Sequence, residues 1–265
     1  MRYLVTLIIL VAVVSGCRKQ SGVSNSTTLT GEQFNLFISQ RNKVLEAYES
    51  DSSKNAVDKL ERGARVLQKD YPTENSGYQL MMMAMADRET SSLAKARALA
   101  QEMIAGSAPD NFKQWAKGFL HRLDCMGKPV AIQFVATDGR KADLASMRGK
   151  VVLVDFWATW CGPCVAEIPR VKAVFERFHS KGFEVVGISC DTDKDRLANF
   201  VEEKAIPWPQ FFDGSTQIDN KLSQAFGING IPHIFLVDKK GWLRVDNVRA
   251  QGDFEKQIAK LLAEQ

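Results

Sequence analysis

The stretch KVVLVDFWATWCGPC, Lys150 to Cys164, decides how the chain is read. Val151 to Ala158 is a nearly continuous apolar run, as expected of a central strand covered on both faces. Only Asp155 interrupts it with a charge. Two cysteines, Cys161 and Cys164, then stand two residues apart where the strand gives way to a helix carrying Cys164, Ile168, Val171, Phe175 and Phe178 on one stripe. A cysteine at that junction meets the free N–H groups and the positive end of a helix, which favour its thiolate. Pro163 suits the first helical turn, where a missing N–H costs nothing. Cys164, one turn in, is shielded from solvent and placed to resolve a mixed disulfide formed on Cys161, the more accessible sulfur.

The pattern continues to both sides. Upstream, AIQFVATDGRKADL reads as two short strands around an Asp138-Gly139 turn. Downstream, FEVVGISC is a second buried strand, and DKDRLANFVEEK and STQIDNKLSQAFG read as helices. IPHIFLVD and WLRV form a hairpin through Asp238-Lys239-Lys240-Gly241, and DFEKQIAKLLAEQ closes the chain as an amphipathic helix. Strands alternating with helices and ending in a hairpin predict an α/β domain over 126–265, a central mixed sheet flanked by helices.

The first half is different. Thr30 with Gln33 makes a capping box that opens a helix. Further helices are predicted from Asn55 to Lys69, stopped by Tyr71-Pro72, from Glu74 to Ala86, from Ser92 to Ala105, stopped at Gly106, and from Pro109 on. Residues 31–125 thus read as an all-α domain of stacked helical hairpins, in which Met81-Met82-Met83-Ala84-Met85 is core. The chain has 265 residues, 45% hydrophobic and 25% charged, ample for two cores. Its 35 basic and 31 acidic residues are dispersed, which excludes a nucleic-acid patch.

The N-terminus is an address. Arg2, an apolar run from Tyr3 to Val14 and then Ser15-Gly16-Cys17 have the size of a secretory leader, too short for a stable membrane span. The ending resembles a bacterial lipoprotein signal, which implies cleavage of 1–16 and lipidation of Cys17. Residues 17–30, rich in Ser, Thr and Gly, read as a flexible tether. The protein is therefore expected outside the cytoplasm, lipid-anchored to a membrane and facing the periplasm or an equivalent space, where disulfides persist.

The sequence VDFWATWCGPC resembles the thioredoxin superfamily, and CGPCVAEIP with the leader and the early hairpin resembles its TlpA/ResA-like branch of membrane-anchored thiol-disulfide oxidoreductases. The resemblance implies a thioredoxin-like fold and reduction of protein disulfides, with Cys161 as nucleophile and Cys164 as resolving thiol. It implies supporting roles for Trp160 over the disulfide, for Gly162 and Pro163 between the cysteines, for a cis Pro232 facing them, and for Pro169 as a helix kink. Asp155 matches the superfamily's buried aspartate and Glu167 the glutamate of the branch. Both are candidates for exchanging a proton with Cys164, because burial disfavours a charged carboxylate. The Gly-Pro spacer resembles that of reducing members. Implied partners are disulfide-bonded proteins and a membrane-embedded thiol reductant, in some relatives for cytochrome c maturation. No cofactor is needed, since the dithiol carries the electrons.

Other chemistries fit less well. Copper could be held by Cys161, Cys164 and His233, but thioredoxin-fold copper chaperones use a wider cysteine spacing. Zinc would need a second cysteine or histidine pair. Peroxide reduction needs an activating threonine three residues before the cysteine, whereas Thr159 stands two before Cys161. A scaffold whose helical domain recruits a partner is the non-enzymatic alternative. Cys125 and Cys190 read as buried thiols that could also pair with each other.

Overall fold

The computed structural model describes residues 29–53, 55–216, 220–247 and 254–264. The leader, Cys17 and nearly all of the tether lie outside them. Among the described residues no helix is long and apolar enough to cross a membrane. The chain divides into two compact units, one up to Ala116 and one from Lys117.

The first unit is helical. Its elements are α1 (Gly31–Glu49), α2 (Ala56–Asp70), α3 (Ser76–Ser91) and α4 (Leu93–Ala105), with α1 packed on α2, α2 on α3 and α3 on α4, followed by the start of α5 (Asp110–Cys125). Thr30 caps α1 through the reciprocal bonds expected with Gln33. Tyr71 ends α2. α3 begins and ends later than its sequence suggests, and Met81 to Met85 are all buried in it. Its buried Arg88 reaches back to α2, where Glu61 accepts from Nε at 2.6 Å and Asp58 pairs with the same guanidinium. A buried guanidinium is tolerable only with such compensation.

The second unit holds a five-stranded mixed sheet in the order β5-β4-β3-β6-β7. These strands are β3 (Val151–Trp157), β4 (Phe183–Ser189), β5 (Gln210–Phe211), β6 (His233–Val237) and β7 (Leu243–Val245). β3, β4 and β5 run parallel, and β6 and β7 are antiparallel to their neighbours. Every residue of central β3 is buried, as its apolar run requires. β1 (Gln133–Val135) and β2 (Lys141–Asp143) form the separate early hairpin, with Gly139 at φ +85° in its turn. Helices α6 (Gly162–Phe178), α7 (Lys194–Glu203), α8 (Lys221–Ala225) and α9 (Phe254–Ala263) complete the unit. The mixed α/β architecture is the expected one.

One helix departs from expectation. The segment 215–227 does not helix from its start. Ser215 and Thr216 are irregular, and α8 begins only at Lys221, where the Asn220 side chain accepts from the N–H groups of Leu222 and Ser223. An asparagine cap fixes a helix start more firmly than apolar spacing does.

The last two turns of α5, Lys117–Cys125, lie within the second unit. They dock against the turn after α8. A side chain at Gly118 would strike the Gln224 carbonyl, and one at Gly227 would strike the Phe119 backbone. Gly227 also has φ +60°, a left-handed conformation that suits glycine. Gly227→Ala should therefore destabilise the second unit by about 2–4 kcal/mol in urea unfolding. Gly31→Ala, where an added methyl meets nothing, should change stability by less than about 0.5 kcal/mol.

Candidate active site

β3 ends at Trp157, and the chain turns through Ala158, Thr159 and Trp160 before α6 begins at Gly162. Cys161 is the N-cap of α6. Its backbone is extended, and its sulfur accepts the N–H of Cys164 at 3.2 Å. Gly162 and Pro163 occupy the first turn, so the proline removes no needed donor. Cys161 and Cys164 are joined as a disulfide with their Cα atoms 5.2 Å apart. The expected difference in access between the two is absent in this oxidised state, since each is 4% exposed. A side chain that caps the helix and bonds to Cys164 turns inward over the first turn. Trp160, just before the pair, is half-exposed.

The other expected residues fall around this turn to different degrees. The Ile231–Pro232 bond is cis. His233 opens β6 opposite Phe156, so Pro232 lies beside the end of β3 from which the cysteine loop departs. Asp155 is buried in β3 opposite Ile234. Directly opposed residues share a face and successive residues alternate, so Asp155 and His233 belong to opposite faces of the sheet. Glu167 is on α6 one turn beyond Cys164, mostly buried, with the Arg170 guanidinium 3.9 Å away. Pro169 lies inside α6. Cys17 is outside the described residues.

Cys125 and Cys190 are buried free thiols and do not pair. Burial pushes the Cys190 thiol up to about 12, with Ser223 Oγ 3.7 Å from its sulfur. Burial also raises Cys125, whose sulfur is 3.5 Å from His121 Nε2. A thiol held protonated is a poor nucleophile. Among the described cysteines, Cys125 and Cys190 are therefore the weaker candidates for thiol exchange.

Reading the sequence did not single out Asp191. This buried carboxylate follows β4 and holds the cysteine loop from beneath. It accepts the Thr159 N–H at 3.0 Å and the Thr159 hydroxyl at 2.6 Å, and also the Ser189 hydroxyl at 2.8 Å. The Thr159 hydroxyl is thereby committed to Asp191. A second network missed in the sequence ties His233 to Asp246, with Nε2 2.6 Å from Oδ1, and Asp246 to buried Arg122. His233, considered above as a copper ligand, is held well below its ordinary value by burial and then by Arg122. A carboxylate at this distance can only accept, so Nε2–H donates to Asp246. The signal for Asp191 was an acid directly after a buried strand. Arg122 gave none, being one cation of an amphipathic helix.

Residues 127–245 match the model of the AhpC/TSA family. A thiol-disulfide oxidoreductase ResA of Bacillus thuringiensis (strain Al Hakam) is 33% identical over 113 residues, 42% of this chain and 63% of that protein. The ResA of Bacillus subtilis (strain 168) is 30% identical over 105 residues, 40% of this chain and 56% of that protein. The chain thus spans less than two thirds of these relatives' length. A thioredoxin-family thiol:disulfide interchange protein of Chlorobium tepidum TLS, solved by crystallography, is 31% identical. That match covers 51% of this chain and 95% of the other, with a TM-score of 0.45.

Asp191→Ala would leave the Thr159 and Ser189 donors unsatisfied in a buried site. It should lower stability by about 2–4 kcal/mol in denaturant titration. A cost below about 0.5 kcal/mol would show that the loop is held without this carboxylate.

Proposed function

We propose that this chain, whose residues 127–245 match the AhpC/TSA family model, is a thioredoxin-superfamily thiol-disulfide oxidoreductase that reduces disulfides in proteins. One observation carries the reading: Cys161 caps α6, with the Cys164 N–H on its sulfur and Cys164 bonded to it. In the reduced protein the same N–H and the free end of α6 face a thiolate. Such a charge-assisted bond contributes about 1.5–3 kcal/mol and the helix end about 0.3–1 kcal/mol. Both favour the ionised form of Cys161.

The exchange then runs in two displacements. The Cys161 thiolate attacks one sulfur of the target disulfide; the target S–S bond breaks, and the leaving thiolate takes a proton. Deprotonated Cys164 next attacks Cys161 Sγ in the mixed disulfide, releasing the second target thiol and closing the Cys161–Cys164 bond. Two electrons pass from the dithiol to the target. Asp155 of β3 and Glu167 of α6 are the proposed acceptors for the Cys164 proton. Trp160 offers a half-exposed apolar ring beside the pair, and the loop with the cis Ile231–Pro232 bond is the proposed place where an extended target segment pairs.

The wider setting follows from the leader. Lipidation at Cys17 would hold the chain at a membrane on its extracytoplasmic side, where a membrane-embedded thiol reductant would restore the dithiol. Cytochrome c maturation is one pathway that needs such a reductase. The two-residue spacing of the cysteines and the engagement of His233 with Asp246 favour thiol exchange over copper chelation. The engagement of Thr159 with Asp191 disfavours peroxide reduction.

With dithiothreitol as electron source, the wild-type chain should accelerate insulin precipitation, and Cys161→Ser should reduce that to the uncatalysed rate. Cys164→Ala should accumulate mixed disulfides on Cys161 that dissolve on adding reductant. Equal turbidity curves for wild type and Cys161→Ser would overturn the reading.

A further inference from the structure

Arg122 stands in the last turn of α5, buried, in a segment that sequence reading gives to the helical domain. Its guanidinium does two things. Nε donates to the Phe226 carbonyl at 2.9 Å, at the end of α8, and the group forms an ion pair with Asp246, just past β7. Asp246 in turn accepts from His233, the residue directly after the cis Ile231–Pro232 bond. Arg122 balances the charge of Asp246, so His233 need not be protonated to satisfy it. The ring is held edge-on to Phe156 and Phe235, at centroid distances of 6.4 and 5.3 Å. One cation therefore joins three turns, at the ends of α8 and β7 and at the start of β6.

Buried ion pairs of this kind add little stability over an apolar replacement. What they can supply is a fixed geometry. The loop held here lies beside the end of β3, where the cysteine turn departs. We propose that Arg122 is a positioning residue for protein disulfide exchange, acting through Asp246 and His233 to fix the Ile231–Pro232 loop on which a target segment pairs. This rests on the oxidoreductase reading above. A small disulfide, attacked at sulfur without pairing to the loop, does not need this positioning, whereas a protein target does.

The test compares two substrates on the full chain: insulin, and the small aromatic disulfide 5,5′-dithiobis(2-nitrobenzoate). Arg122→Met should lower kcat/KM for insulin about tenfold or more, since small misplacements distant from the chemistry are costly. The rate with the small disulfide should stay within about twofold. Arg122→Lys, which restores a charge for Asp246 without the planar fork that also reaches Phe226, should fall between. If Arg122→Met lacks a cooperative melting transition, Arg122→Met/Asp246→Asn removes the orphaned charge and is expected to show the same selective loss. Folded variants that keep the wild-type ratio of the two rates, or lose both rates equally, overturn the proposal. Failure of the oxidoreductase reading itself shows separately, as a wild-type chain that reduces neither substrate.

Discussion

One hydrogen bond organises the candidate site: the Cys164 N–H to the sulfur of Cys161 at the start of α6. A helix needs acceptors for its first N–H groups, and this helix takes a sulfur where others take a serine or aspartate oxygen. The same geometry brings the second sulfur into bonding distance within one turn. Helix capping and the proposed redox chemistry are thus served by the same atom. For the sulfur to stay there, β3 must end where it does, the loop Ala158–Trp160 must be held, and α6 must start at Gly162.

Buried polar groups hold the cysteine loop and, separately, the loop that leads into β6. Asp191 grips Thr159 from the end of β4 and accepts from three donors, the Thr159 N–H, the Thr159 hydroxyl and the Ser189 hydroxyl. Across the sheet, the Arg122, Asp246 and His233 network holds the start of β6. Each network sits where a loop must keep its place against solvent and where apolar packing alone would leave the backbone free to shift. A fully satisfied buried network specifies one arrangement, while a partly satisfied one is costly. That asymmetry makes such networks suited to holding active-site loops.

The features legible in the sequence are those with local causes. The run Val151 to Trp157 declared a strand buried on both faces, and the Thr30–Gln33 pair declared a helix start. The Cys-Gly-Pro-Cys turn after that strand declared a helix start carrying paired cysteines, and the Asp138-Gly139 turn declared a hairpin. What was not legible depends on distant partners. Nothing near Arg122 in sequence signals Asp246, more than a hundred residues away. Asp191 reads as an ordinary loop acid until Thr159 is placed against it. The late start of α8 turns on one asparagine side chain that outweighs the apolar spacing upstream. The inward turn of Cys161 follows from its cap geometry, which sequence spacing does not contain.

In the proposed function the start of α6 makes Cys161 the reactive sulfur. The direct measurement is a pH titration of the reduced chain, following thiolate absorbance and the rate of alkylation by iodoacetamide, with Cys161→Ser as the blank. The account predicts that Cys161 ionises clearly below the roughly 8.5 of a free cysteine and is alkylated well before Cys164. A Cys161 that titrates like a free cysteine, or alkylation that falls first on Cys164, would contradict it.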